Sequence, residues 1–414
     1  MDGRQVTPRA RPLRVSLLGL GTVGGAVAKR LLDRRWREDV ATRGIAPPEL
    51  VAVGVREPAR SRPVSPLVSV ELTDDLEAVV GRDDVDVVIE LLGGLEPARA
   101  LTEQALERGI GVVTANKMLL AELGPALERA ARRSGAALRF EAAVAGGTPV
   151  LGPLARELAA NRIEGVRGIV NGTTNFILSA MAAEGRTYDD VLADAQQRGF
   201  AEADPSTDVA GLDAAHKLVL LARLAFGVWV QPSGITRSPP ALSGEGPPGI
   251  TGVTASEVAA ATDNDLAIKL VASAARVSTK AGSRLVGSVE PVAVGRSSSL
   301  GSTSGATNVV EVSGVPVGRV SLQGPGAGGD ATSSAVLADL LALARGEGST
   351  WAALPEALPL TEIDAGRAIP SRWFFVTPET GARISDQLEL DALRGQLREA
   401  DVPPTTLYRV IEDG

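Results

Sequence analysis

The stretch from Gly199 to Ala222 gathers Glu202, Asp204, Asp208, Asp213 and Lys217 into a segment that otherwise runs into apolar residues. Asp213 and Lys217 are four apart, so on a helix they share a face, with Leu212, Ala215, Val219 and Leu220 nearby to limit water. An ammonium held beside a carboxylate in such a place can stabilise negative charge on a substrate oxygen and give it a proton. Left exposed, the same pair would be a surface contact of ~0.3–0.5 kcal/mol. Composition narrows the other candidates. The chain has no cysteine and a single histidine, His216, which excludes disulfides, thiolate metal sites and multi-histidine zinc centres. His216 lies ~100° around the helix from the Asp213–Lys217 face and is read as incidental. Of the 42 basic residues only Lys29, Lys117, Lys217, Lys269 and Lys280 are lysines. Arginine supplies the solvated charges, so each lysine is a candidate for work that needs a compact, titratable ammonium.

A second constellation is glycine-rich. Gly19, Gly21 and Gly24 form G-x-G-x-x-G straight after the apolar run from Leu13, and open a stretch with helical spacing. Gly19 permits a tight turn, Gly21 lets backbone approach a pyrophosphate, and Gly24 allows close helix packing, with Thr22 and Val23 at the positive helix start. The expected ligand is a dinucleotide. Beyond the second strand the sequence reads VREPARSR, and Arg56, Arg60 and Arg62 there suit a 2′-phosphate, which makes NADP the expected cofactor and NAD the alternative. Leu92, Gly93, Thr114 and Lys117 follow two further strands at the carboxyl edge, where ligands sit, and Lys117 could reach cofactor or substrate. Asn171–Leu178 leads from a strand into a helix whose first amides could hold a carboxylate, with Asn171, Thr173 or Thr174 as cap. Gly324–Val336, with Gly326 and Gly328, repeats the device, with Asp330 or Thr332 as cap, and reads as closing over the cofactor.

These residues need a scaffold. A chain of 414 residues suggests two or three domains. Strands expected at Leu13–Leu18, Leu50–Val55, Val85–Leu91, Gly111–Thr114 and Ala137–Phe140 alternate with helical stretches, which predicts a Rossmann-type doubly wound parallel sheet over residues 13–142. After Gly146 the rhythm changes. Helices at Pro149–Ala160, Asn175–Glu184, Tyr188–Arg198 and Gly211–Phe226, with strands at Val166–Val170, Ile268–Val277 and Leu285–Val294, predict a second, α+β domain over 143–322. Residues 323–346 read as a glycine turn and helix returning to the nucleotide domain, 350–414 as a short C-terminal module, and 1–12 as a flexible tail. A net charge of -8 disfavours nucleic acid and anionic membranes as partners. The amino terminus has no apolar core and the most apolar window, Leu218–Val230, is interrupted by Arg223, so a cytoplasmic protein acting on a small molecule is expected.

Taken in order and spacing, GLGTVG, TANK, EAAVAGGTP, NGTTNFIL, GFAEADPSTDVAGLDAAHKL and GPGAGGDATSSAV resemble the homoserine dehydrogenase family across residues 13–345. The resemblance implies reversible reduction of L-aspartate 4-semialdehyde to L-homoserine with NAD(P)H, on the route to threonine and methionine, by a homodimer; it makes 143–322 the α+β catalytic and dimerisation domain and 350–414 a reduced form of the ACT domain that ends many members. By motif it makes Lys217 the acid/base, Asp213 its neighbouring substrate ligand, and Glu202 the partner of the substrate amino group. Asp208, Gly172, Thr173 and Lys117 become substrate contacts and Gly199 a cofactor contact. Glu141, Val144, Gly146 and Thr148 match positions whose carbonyls hold a monovalent cation, sodium or potassium. Two residues depart from the family pattern: Phe200 replaces a common Tyr, and Ser298 a common His. An alternative reading is a weakly active NADP-binding partner protein, or a sibling dehydrogenase for another amino-acid aldehyde.

Overall fold

In the computed structural model, which describes residues 11–58, 70–238, 247–279, 282–357, 360–377, 381–399 and 406–412, the run after Leu13 is strand β1 (Arg14–Leu18). Arg60 and Arg62 lie outside the described residues. β1 is central in a six-stranded sheet with β2 (Glu49–Gly54), β3 (Glu71–Thr73), β4 (Val87–Glu90), β5 (Gly111–Thr114) and β6 (Leu138–Arg139), ordered β3-β2-β1-β4-β5-β6. Every pairing is parallel, with Leu17 opposite Val53 on one side and Ile89 on the other. Strands of this kind are covered on both faces, which is why β1 and β4 read as nearly unbroken apolar runs. Val15, Leu17, Val53 and Ile89 share a core with Val27 and Leu31 of helix Thr22–Leu32 and with Val336 and Leu340 of helix Gly329–Ala344. The chain leaves β1 toward β2 and β3 and then crosses to β4, so the strand order reverses at the carboxyl edge of β1. Doubly wound sheets bind ligands at such a reversal. This first unit comprises residues 1–159, 227–229 and 327–359.

The second unit, residues 160–226, 230–326 and 360–414, is built on a mixed sheet. Its strands are β7 (Arg162–Ile169), β8 (Thr236–Arg237), β9 (Leu266–Thr279), β10 (Gly282–Gly295), β11 (Thr307–Val315), β12 (Gly318–Pro325), β13 (Trp373–Thr377), β14 (Gly381–Ile384) and β15 (Thr406–Ile411). The order is β12-β11-β7-β9-β10-β15-β13-β14, with β8 beside β10. β9 and β10 are antiparallel from Leu266↔Gly295 to Thr279↔Gly282, and β15 runs parallel to β10. Helices Gly172–Glu184, Tyr188–Gln197, Leu212–Phe226, Ala255–Asp263 and Leu390–Glu399 complete the unit, together with one-turn helices Ser206–Val209 and Ser299–Ser302. The last strand is tied in by a buried polar knot, where Thr406 Oγ1 (2.5 Å) and Tyr408 Oη (2.9 Å) donate to the carboxylate of Glu257.

The structure departs from the sequence reading at several elements. The helix expected over Pro149–Ala160 is only Leu151–Ala155, where Gly152 and Pro153 lower helix propensity. β11, β12, helix Arg34–Thr42 and helix Ala255–Asp263 were not anticipated. Helix Gly329–Ala344 starts at Gly328 with no side-chain cap, so neither Asp330 nor Thr332 has the capping role expected of it.

Candidate active site

In the first unit the glycine turn has the shape its spacing demands. Gly19 has φ +95° and a Cβ there would come within 2.7 Å of the Leu91 carbonyl oxygen, while a Cβ on Gly24 would overlap the Gly19 carbonyl. Gly21, by contrast, faces open space and starts helix Thr22–Leu32 without any side-chain cap. Crowding on two sides and an open, uncapped helix start on the third make a cradle that fits a dinucleotide phosphate. Gly329 packs against the same turn, since a Cβ there would be 2.8 Å from the Thr22 carbonyl oxygen. Gly328, beside it, has φ +115°.

The loops after β4 and β5 are joined by a residue that the sequence reading did not single out. Glu90 is fully buried; its carboxylate accepts from Leu92 N (2.8 Å) and Thr114 Oγ1 (2.6 Å). Burial pushes this carboxyl's pKa up, against the hydrogen bonds that favour its ionised form. Asn116 continues the linkage: its Nδ2 donates to Gly94 O (2.7 Å) and its Oδ1 caps Leu119 N (3.1 Å) at the start of helix Lys117–Ser134. Leu92, Gly93, Thr114 and Lys117 are thereby fixed on one edge of the sheet. Arg56 follows β2 and is exposed.

Glu141 begins a one-turn helix, and its carboxylate is committed to the amides of Val150 (2.6 Å), Leu151 (2.9 Å) and Gly152 (2.5 Å). What the turn offers elsewhere is neutral carbonyl. Ala145 and Gly146 both have φ +54°, and Thr148 N donates to Ala145 O (2.9 Å). A left-handed alanine is unusual and marks a turn held by its surroundings.

The second unit brings the Lys217 cluster together and removes it from water. Lys217 (9% exposed) and Asp213 (6%) lie on helix Leu212–Phe226, with Nζ donating to Asp213 Oδ2 (2.7 Å) and to Val170 O (2.6 Å). Asn171 completes the group, its Nδ2 donating to Asp213 Oδ2 and Asp208 Oδ1, both at 2.8 Å. Its Oδ1 accepts from Thr174 N (2.9 Å) and so caps helix Gly172–Glu184, as the sequence allowed. The first amides of that helix, at Gly172 and Thr173, have no intrahelical acceptor. A Cβ on Gly172 would be 2.8 Å from the Ala306 carbonyl oxygen, so only glycine permits this approach.

Thr173 Oγ1 donates to Phe200 O (2.9 Å), which fastens the Gly199–Glu202 loop to the same helix start. Gly199 turns with φ +76°, and Phe200, 44% exposed, stacks on Phe176 with centroids 4.6 Å apart. Glu202 is exposed, and among the described residues no hydrogen bond or ion pair joins its carboxylate to the Lys217 cluster. Ser298, which stands at the family's histidine position, caps helix Ser299–Ser302 by accepting from Gly301 N (2.9 Å). Gly326 packs against the buried Asn308 side chain.

Comparison with known proteins finds relatives for both the nucleotide-binding and the second part of the chain. Residues 19–141 match the homoserine dehydrogenase NAD-binding domain model and residues 149–341 the homoserine dehydrogenase model. The chain is 42% identical over 329 residues to a homoserine dehydrogenase of Synechocystis sp., covering 80% of this chain and 72% of that protein. The structure of a homoserine dehydrogenase from Thiobacillus denitrificans superposes with a TM-score of 0.85 at 33% identity, covering 98% of this chain and 99% of the other. A hyperthermophilic archaeal homoserine dehydrogenase in complex with NADPH matches with a TM-score of 0.63 at 25% identity, over 80% of this chain and 97% of that one. The doubly wound sheet, the dinucleotide cradle and these matches together place the chain in the homoserine dehydrogenase family, NAD(P)-dependent oxidoreductases that interconvert L-homoserine and L-aspartate 4-semialdehyde.

Proposed function

We propose that catalysis rests on the buried Lys217–Asp213–Asn171 group, the single observation that carries this reading. An ammonium has three donors, and the two protein acceptors of Lys217 leave one for a substrate oxygen. A bound nicotinamide supplies the hydride in reduction and takes it back in oxidation. As the aldehyde carbon gains its C–H bond, the carbonyl electrons collect on oxygen. Lys217 stabilises that charge and passes it a proton, and solvent restores the proton. Asp213 aims Lys217, and Asn171, bridging Asp213 and Asp208, fixes both carboxylates. The amides of Gly172 and Thr173 receive the substrate carboxylate, and Glu202, on the loop fastened by Thr173, pairs its ammonium.

NADP is the proposed cofactor, on the strength of Arg56 beyond β2 and of the archaeal relative in complex with NADPH. Gly19, Gly21, Thr22, Val23 and Gly24 would hold its phosphates, with Leu92, Gly93, Thr114 and Lys117 on the neighbouring edge and Gly199, Gly326 and Gly328 as further contacts. A sodium or potassium ion is proposed for the carbonyls of Glu141, Val144, Gly146 and Thr148; uncharged oxygen donors suit a hard monovalent cation. A homodimer through the second unit's sheet is proposed from one of its faces. Gly165 stands opposite Ala275 and Ser313 on the neighbouring strands, and with Ser273, Arg167, Glu311, Arg319 and Arg409 they line a cavity of 340 Å³ that would receive polar side chains of a second copy. No helix of the described residues is long and apolar enough to cross a membrane, and a cytoplasmic location is proposed.

The decisive experiment is absorbance at the nicotinamide band with homoserine and NADP or NAD, for wild type and Lys217→Ala, beside the NADPH-induced melting shift. We expect Lys217→Ala to lose ~10²–10⁴ in turnover while keeping the melting shift. Undiminished turnover in the variant would remove Lys217 from the mechanism. A melting shift without turnover in wild type would favour a binding protein.

A further inference from the structure

A second lysine is buried in the same unit with a task the reaction does not use. Lys269, on β9, is 4% exposed, and its Nζ donates to Thr303 O (2.7 Å), Asn175 Oδ1 (2.9 Å) and Ser179 Oγ (3.1 Å). All three donors of the ammonium are engaged and none of the acceptors is a carboxylate. Burial alone brings its pKa down to about 8, so the site holds a cation at a cost in desolvation. Removing a buried cation for well-packed apolar atoms is often neutral or stabilising, so stability by itself is a poor reason for this residue.

The acceptors indicate a better reason. β7 pairs with β9 only as far as Gly168↔Ala272, and Lys269 lies further along β9, where β7 has given way to helix Gly172–Glu184. That helix offers Asn175 and Ser179 to Nζ, and the segment after helix Ser299–Ser302 offers Thr303. A carboxamide has one acceptor end and one donor end. With Oδ1 held by the ammonium, Nδ2 of Asn175 is directed to Thr307 O (3.1 Å) and Thr303 O (3.4 Å). Residues 303–307 are thus clamped to the helix from both sides, and between the clamped carbonyls lies Ala306, whose own carbonyl sits against Gly172. A neutral side chain at 269 would leave Asn175 Oδ1 only the long contact from Ser179 Oγ (3.4 Å), which loosens the amide and the hold of the segment on Gly172.

We infer that Lys269 is a positioning residue for substrate binding: through Asn175 and the 303–307 segment it holds the Gly172–Thr173 amides where an α-amino-acid carboxylate is received. The inference rests on the proposed reading of that helix start as the substrate's carboxylate site. It assigns Lys269 no contact with the substrate and no part in proton transfer.

The test compares wild type, Lys269→Met and Asn175→Ala, the latter as a milder cut in the same linkage should Lys269→Met fail to fold. Kinetics with homoserine and NADP should show the homoserine KM raised roughly tenfold in each variant, with the dissociation constant for NADPH, read by fluorescence titration, within twofold of wild type. In the double variant the two effects should not add, because both cut one chain of contacts. A homoserine KM equal to wild type, or equal losses in homoserine and NADPH binding, would overturn the inference. Hydrogen exchange separates it from the reading it rests on. Faster exchange confined to residues 171–175 and 303–308 in Lys269→Met is expected even if wild type proves inactive on homoserine, and unchanged exchange there would overturn the positioning role.

Discussion

Asn171 shows how much one side chain can organise. It caps a helix with its oxygen and holds two carboxylates with its nitrogen, so Asp208, Asp213 and Lys217, widely separated from it in sequence, meet through a single carboxamide. Capping by Asn171 was legible from a strand-to-helix junction; the bridge to Asp208 and Asp213 was not, because that contact is made across the unit. Lys269 was visible only as one of five lysines, and its burial, which gives it meaning, belongs to the tertiary structure. That burial makes a prediction about pH. The folded-state pKa of Lys269, about 8, lies below its ordinary 10.5, so between these values the unfolded chain binds more protons and stability rises with pH. Below about pH 8 the desolvation cost is fully present, up to about 3 kcal/mol by linkage. In urea unfolding, the stability difference between wild type and Lys269→Met should therefore shift in favour of wild type from pH 7.5 to pH 10; a constant difference would contradict the burial argument. Arg56 makes the complementary prediction at the exposed end of the cofactor. Arg56→Ala should weaken NADPH roughly tenfold and leave NADH nearly unchanged, by fluorescence titration, since a charged hydrogen bond to phosphate is lost. Equal losses would remove the 2′-phosphate assignment.

At the scale of elements, the glycine turn and helix Thr22–Leu32 act as one piece. Gly24 lies in the first turn of that helix and touches the carbonyl of Gly19, so the helix can approach β1 only without a Cβ at 24. Gly24→Ala is expected to displace the helix start, cost ~1–3 kcal/mol of stability and reduce the NADPH melting shift, whereas Gly21→Ala, facing open space, should keep the fold and lose mainly the cofactor. Differential scanning fluorimetry with and without NADPH distinguishes the two, and equal loss of apo stability in both variants would contradict the geometry. Strands buried on both faces were readable as apolar runs, which is why β1, β2, β4 and β5 fall close to where the sequence placed them. β12 was missed because its residues, Gly318–Pro325, alternate between exposed and half-buried and carry little apolar signal. Helix Ala255–Asp263 was missed for a different reason: its capping box of Thr254 and Glu257 is present in the sequence but sits in an alanine-rich stretch with weak periodicity.

For the whole molecule, the C-terminal segment is the clearest example of sequence distance giving way to pairing. β15 lies beside β10, and Thr406 and Tyr408 both reach the carboxylate of Glu257 on a helix far earlier in the chain. Burial and the nearby carboxylate hold the Tyr408 hydroxyl well above its ordinary pKa, so it stays a donor through the physiological range. On the sheet face where Gly165, Ala275 and Ser313 lie beside Arg167, Glu311, Arg319 and Arg409, Ala275→Arg should fill the cavity with bulk and a further cation. Light scattering is expected to show the mass halved relative to wild type, with the fold retained by circular dichroism; a wild type that is already monomeric would remove the dimer from the proposal.

The sequence by itself determined what depends on residue type and near neighbours. The G-x-G-x-x-G turn works through steric limits within one strand, turn and helix, and the Asp213–Lys217 pairing follows from the helical period alone. Family membership was equally local, carried by short motifs in fixed order. Only the tertiary structure decided whether Lys217 and Asp213 would be a screened surface pair or a buried one, because burial is set by β7 and β9, which pack against helix Leu212–Phe226, and by the Val170 carbonyl that takes the ammonium. It also decided that Glu90 would join two loops and that Lys269 would be buried against Asn175 and the Thr303 carbonyl. Those roles come from desolvation and from acceptors supplied by distant segments, and neither quantity is a property of the residue or its neighbours in the chain.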